Sequence, residues 1–108
     1  MSRIHWHILH DGPVLTLARR LPVRFDLAVR TCLPEAGRLK VAHRVRQDLW
    51  RALQKLRGFA PVVRVERTGA GLEVTAGGQV AGAFCRAHAE GRIRSVLDDP
   101  CNRERWVR

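Results

Sequence analysis

RLKVAHRVRQDLWRALQKLR, residues 38–57, is the longest periodic stretch of the chain. Leu39, Ala42, Val45, Leu49, Ala52 and Leu56 recur at three- and four-residue steps, as one side of an α-helix requires. A second face is basic. Lys40, Arg44, Arg51 and Lys55 share one stripe, with Gln47 at the same helical phase. Arg38, Arg46 and Arg57 add charge beside it, and Asp48 alone opposes them. The spacing predicts one long helix from Arg38 to Arg57, apolar toward a core and basic toward solvent. Gly58 and Pro61 supply the stop signals.

The segments before the helix have a different period. In RIHWHILH, residues 3–10, Ile4, Trp6 and Ile8 alternate with Arg3, His5, His7 and Leu9. Asp11-Gly12-Pro13 signals a turn, and residues 14–20 read as a second strand ending at Leu21-Pro22. In VRFDLAVRT, residues 23–31, Val23, Phe25, Leu27 and Val29 alternate with Arg24, Asp26, Ala28 and Arg30. Three such strands with short connections predict an antiparallel meander. After the helix, residues 61–67 and 71–76 read as a hairpin across Thr68-Gly69-Ala70. Gly77-Gly78 predicts a further turn, and 79–84 a short additional strand. Residues 86–97 have helical spacing despite Gly91, and Asp99-Pro100 predicts a cap and first turn for a last helix over 100–107. The expected fold is a single α+β domain, in the order βββ-α-ββ(β)-α-α, with helices packed on an antiparallel sheet.

Composition narrows the function classes. The 108 residues include 20 Lys and Arg against 10 Asp and Glu, a net charge of +10. Abundant Arg, Ala, Gly and Val fit a GC-rich, bacterial genome, which accounts for Arg in place of Lys but not for the excess of positive charge. That excess is local. Residues 38–67 carry nine basic side chains (Arg38, Lys40, Arg44, Arg46, Arg51, Lys55, Arg57, Arg64, Arg67) against Asp48 and Glu66, so +7 of the charge lies in under a third of the chain. A concentrated basic patch is the electrostatic footprint of a polyanionic partner. Cys32, Cys85 and Cys101 form no CxxC pair, and reduced thiols in a cytoplasm are the expectation. No apolar run reaches membrane-spanning length, and no membrane partner is expected.

Catalytic signals are sparse. There is no phosphate loop, GxSxG or HExxH, and neither a cofactor nor an enzymatic activity is expected. His5 and His7 are the sharpest small motif: on a strand, i and i+2 project from one face about 7 Å apart, a spacing that suits two ligands of one metal. No spacing identifies the remaining ligands. The charge distribution therefore points first to a small nucleic-acid-binding protein of low sequence specificity, with DNA preferred over RNA. Its contacts are expected from the nine basic residues named above. Arginine suits this role, because its planar fork matches phosphate. Lys40 to Lys55 would track phosphates over roughly 22 Å at 1.5 Å per residue. An adaptor or regulator docking on an acidic protein is the alternative reading. A metal-dependent enzyme using His5 and His7 is the third.

Overall fold

The computed structural model of the chain describes residues 6–108. Its elements are β1 (His7–Asp11), β2 (Val14–Ala18), β3 (Leu27–Leu33), α1 (Arg38–Ala52), β4 (Phe59–Thr68), β5 (Gly71–Val80), α2 (Arg86–Asp98) and α3 (Pro100–Val107). The α+β class and the order of elements follow the sequence reading. All strand pairs are antiparallel. Two tight hairpins start the sheet. Asp11 pairs with Val14 across Gly12-Pro13, where Gly12 takes φ 58°, as the first position of a two-residue hairpin loop demands. Thr68 pairs with Gly71, and its hydroxyl accepts the Ala70 N–H at 3.2 Å, fixing the β4–β5 turn.

The meander is corrected. The sheet order is β1-β2-β4-β5-β3, so β3 pairs with β5 at the far edge and not with β2. The physical reason lies in the connection. Residues 19–26 contain Pro22 and carry no tight-turn signal. Extended, eight residues reach about 26 Å, whereas the step from β2 to β3 is three strand spacings, about 14 Å. The segment crosses the sheet face that carries no helix. There the Pro22 carbonyl accepts the Gln79 side-chain N–H at 2.9 Å. Asp26 accepts the Val80 backbone N–H at 2.9 Å, and the Arg64 guanidinium stacks on Phe25 at 5.1 Å. Ala18 and Val62, paired with each other on that face, are buried.

Further boundaries differ from expectation. The strand read over 23–31 begins only at Leu27, which leaves Val23 and Phe25 in the crossing segment. The turn at Gly77-Gly78 and a separate strand over 79–84 are absent, because β5 runs unbroken through the glycine pair. A Cβ on Gly77 would run into the Leu27 carbonyl, and one on Gly78 into the Ala60 carbonyl. These glycines let β3 and β4 close on β5 from either side. The long helix ends at Ala52, one turn before Arg57. Leu53 leaves helical geometry and buries its side chain, while Arg92 of α2 donates to the freed Ala52 carbonyl at 2.6 Å. Residues 53–57 then turn back toward Gly58, whose φ of 71° and tight approach to Ala81 suit glycine alone.

The core lies between the sheet and the three helices. Val41, Ala42, Val45 and Leu49 of α1 pack over Leu15, Leu17, Val63 and Val65. Leu27 and Val29 point inward, and Ala28 and Arg30 outward, as the alternation of β3 predicts. Ala89, Ile93 and Leu97 bring α2 onto the same core. Asp99 caps α3, accepting the Cys101 and Asn102 N–H groups at 2.8 and 3.1 Å, and α3 delivers a fully buried Trp106. No helix among the described residues is long and apolar enough to cross a membrane.

Candidate nucleic-acid interface

The packing of α3 divides the basic stripe of α1. Lys40 donates to the Arg108 carbonyl, and Arg44 donates to the Arg105 and Arg108 carbonyls at 2.8 and 3.2 Å. The last carbonyls of a helix lack partners and carry the negative end of its dipole, so two cations one turn apart on α1 cap α3. The N-terminal half of the predicted stripe thus holds the fold together. Asp48, the one acid of α1, serves the same junction. Its Oδ2 accepts the Trp106 indole N–H and an Arg105 guanidinium N–H, each at 2.7 Å.

The other predicted residues separate into engaged and free. Arg38 donates to the Gly12 carbonyl at 3.1 Å, and Arg67 pairs with Glu35 at 2.8 Å. Arg64 lies on the opposite sheet face, over Phe25. Arg51, Lys55 and Arg57 are exposed and make no ion pair or hydrogen bond to the described residues. They follow one another around the C-terminal end of α1. Of the nine residues, Arg46 and Arg57 line one cleft, and Lys55 lines a separate groove against α2.

Arg46 opens onto a cleft of about 480 Å³ beside this end of the helix. Trp6 and Trp50 line it, with Arg19 and Arg20 from the segment after β2, Gln54 and Arg57 from the turn after α1, and Phe59 to Pro61 from the start of β4. Among the described residues, four arginines and no carboxylate line the cleft. The Arg46 guanidinium stacks on the Trp6 ring at 4.7 Å, and its Nε is buried without a hydrogen-bond partner among the described residues. Burial lowers Arg46 from the ordinary arginine range, and a guanidinium keeps its charge in proteins. Burial also lowers His43, one turn back on the helix, and the Arg46 charge lowers it further. A partly desolvated cation without a counter-ion raises the attraction for any anion that reaches it, since Coulomb energy grows as the dielectric falls.

Trp50 is 48% exposed, against the commoner expectation that a tryptophan at the border of a helix's apolar face joins the core. Arg19, Arg20 and Trp6 were legible only in part. The Arg pair stands out in the sequence, but only the pairing of β2 with β4, continued by the Arg19 N–H donating to the Pro61 carbonyl at 3.3 Å, places it at the cleft. A smaller groove of about 210 Å³ lies between the end of α1 and α2, lined by Lys55, Leu56, Cys85, His88 and Arg92 among others. It is mainly apolar.

His5 lies outside the described residues. His7 begins β1, and among the described residues no group of three or more His, Cys, Asp or Glu side chains is gathered as metal ligands require. The three cysteines are free and exposed. Compared with known proteins, the chain matches no family model, no curated protein and no solved structure.

Proposed function

We propose that the protein binds nucleic acid with low sequence specificity, through the free basic residues at the C-terminal end of α1 and the adjoining cleft. The observation that carries this reading is the cleft itself: Arg19, Arg20, Arg46 and Arg57 around Trp6 and Trp50, without a carboxylate among the described residues lining it. Arginine forks match phosphate oxygens, and flat aromatic rings match base faces. Arg51 and Lys55 extend the positive surface along the helix end. Against the original stripe, the contact surface moves toward the C-terminal end of α1, because Lys40 and Arg44 already hold α3.

The test is a fluorescence-anisotropy titration with labelled single-stranded DNA, duplex DNA and RNA at two salt concentrations. Each phosphate neutralised releases counterions, so affinity falls steeply with salt. A variant with Arg51, Lys55 and Arg57 changed to Gln is expected to bind more weakly. Its salt slope on a single strand should fall by about 2, at roughly 0.7 per lost phosphate contact. A Lys40→Gln, Arg44→Gln variant is expected to lose stability and keep its affinity. Equal binding by the wild type and the triple variant would refute the proposed surface. No binding to any of the three near physiological salt would refute the function and turn attention to an acidic protein partner.

A further inference from the structure

We propose, resting on the nucleic-acid reading above, that Trp50 is a base-stacking platform and that the cleft takes a single strand, with one base laid on the indole and neighbouring phosphates held by Arg19, Arg20 and Arg57. Three observations converge on this ligand. The first is the exposure of Trp50. Trp106 is fully buried and Trp6 half-buried, yet Trp50 leaves nearly half its surface in solvent, on the helix flank facing the cleft. A large aromatic held in water on a rigid helix offers a flat apolar face whose position is set in advance.

The second is the disposition of charge. The cations that share the cleft with the indole come from two parts of the chain: Arg19 and Arg20 from the segment after β2, Arg57 from the turn after α1. Arg46 lies one helical turn before Trp50 on the same flank. A ligand that is aromatic in one part and anionic in its neighbouring parts suits this arrangement. A nucleotide strand has that chemistry, because each base is flanked by two phosphates. Every base has a π-face, so such a site tolerates sequence.

The third separates a strand from a duplex. A duplex keeps its base faces stacked and offers Trp50 none of them. A helix that reads duplex DNA must enter a major groove about 12 Å wide. α3 is fastened along the N-terminal part of the basic side of α1 through Lys40, Arg44 and Asp48, which leaves only the last turn of that side open to a groove. A volume of about 480 Å³ is that of a small-ligand cleft and suits one or two unstacked nucleotides.

The experiment compares a labelled oligothymidine strand, the same strand paired into a duplex, and an abasic strand of equal length, each titrated with wild type, Trp50→Phe and Trp50→Ala. Stacking on an aromatic side chain is worth roughly 5- to 150-fold in affinity per base by alanine substitution. The strand is expected to bind wild type more tightly than the duplex does. Trp50→Ala should weaken the strand about tenfold or more, and Trp50→Phe much less. The abasic strand should bind wild type as weakly as the ordinary strand binds Trp50→Ala, and should be indifferent to the substitution. The wild-type comparison of ordinary and abasic strands needs no variant, so it decides the matter even where a substitution disturbs folding. Equal affinity for ordinary and abasic strands, or a duplex bound as tightly as the strand, overturns the stacking site. The nucleic-acid reading survives that result if the Arg51, Lys55, Arg57 triple variant still loses binding. Failure of every oligonucleotide to bind overturns both.

Discussion

Removing the Asp48 carboxylate tests how the C-terminal helix is held, and the cost follows from three terms. In Asp48→Ala the buried Trp106 indole N–H loses its acceptor at 2.7 Å. An unsatisfied buried donor costs about 1–3 kcal/mol. The ion pair to Arg105 is also lost, but that guanidinium is 46% exposed, which limits the pair to about 0–1 kcal/mol. Alanine regains up to about 0.7 kcal/mol of helix propensity. The net expectation is a loss of about 2 kcal/mol. For 108 residues, an unfolding entropy of about 2.1 cal/mol/K per residue makes this a fall in Tm of roughly 9 °C. Asp48→Asn keeps an acceptor oxygen for the indole and loses only the charge, so its Tm should lie nearer the wild type. Thermal melts followed by circular dichroism, with urea titrations alongside, measure both. A Tm for Asp48→Ala within about 2 °C of wild type would refute the reasoning. It would mean that burial of the Trp106 ring, without its hydrogen bond, fastens α3.

Two further outcomes are expected. Gly77→Ala should destabilise by more than about 3 kcal/mol or prevent folding, because the new Cβ meets the main chain of Leu27 and Ala28 rather than a movable side chain; a urea midpoint close to wild type would show that β3 can retreat. The His43 imidazole has its pKa lowered from 6.5, first by burial and then by Arg46. The unfolded chain therefore binds the proton more readily, so this group costs nothing well above pH 6.5 and stability falls as pH drops below it toward the folded value. His43→Gln should flatten the fall in urea midpoint between about pH 8 and pH 5, and an unchanged pH profile would show that the environment of His43 is the same folded and unfolded.

The local structure was legible because it depends on near neighbours in sequence. The apolar positions of α1 do face the core at Ala42, Val45 and Leu49, and Asp99-Pro100 caps and starts α3 as read. Gly12-Pro13 turns the first hairpin where expected. What stayed hidden depends on residues far apart. Strand periodicity says which face of β3 is apolar but not which strand lies beside it. Eight loop residues permit a hairpin return as well as a crossing of two strands, and the contacts of Pro22, Phe25 and Asp26 with the sheet mark the crossing. Likewise, Gly77-Gly78 has the composition of a turn. Only the approach of the Leu27 and Ala60 carbonyls shows why glycine is needed inside a strand.

The fate of the basic stripe follows the same logic and bears on function. Helical phase correctly groups Lys40, Arg44, Arg51 and Lys55, and phase alone gives them equal standing. What distinguishes them is the demand made by the rest of the chain. A short C-terminal helix ends in unpaired carbonyls, and its Trp106 needs both a core and an acceptor; Lys40, Arg44 and Asp48 meet those needs. The cations left over are those past the reach of α3, and the segment crossing from β2 adds Arg19 and Arg20 to them. Arg46 packs on Trp6, but the side chains of Arg19, Arg20 and Arg57 make no ion pair or hydrogen bond among the described residues, and Trp50 in the same cleft stands half in water. Arginines around a half-exposed indole suit the anionic, aromatic ligand proposed above.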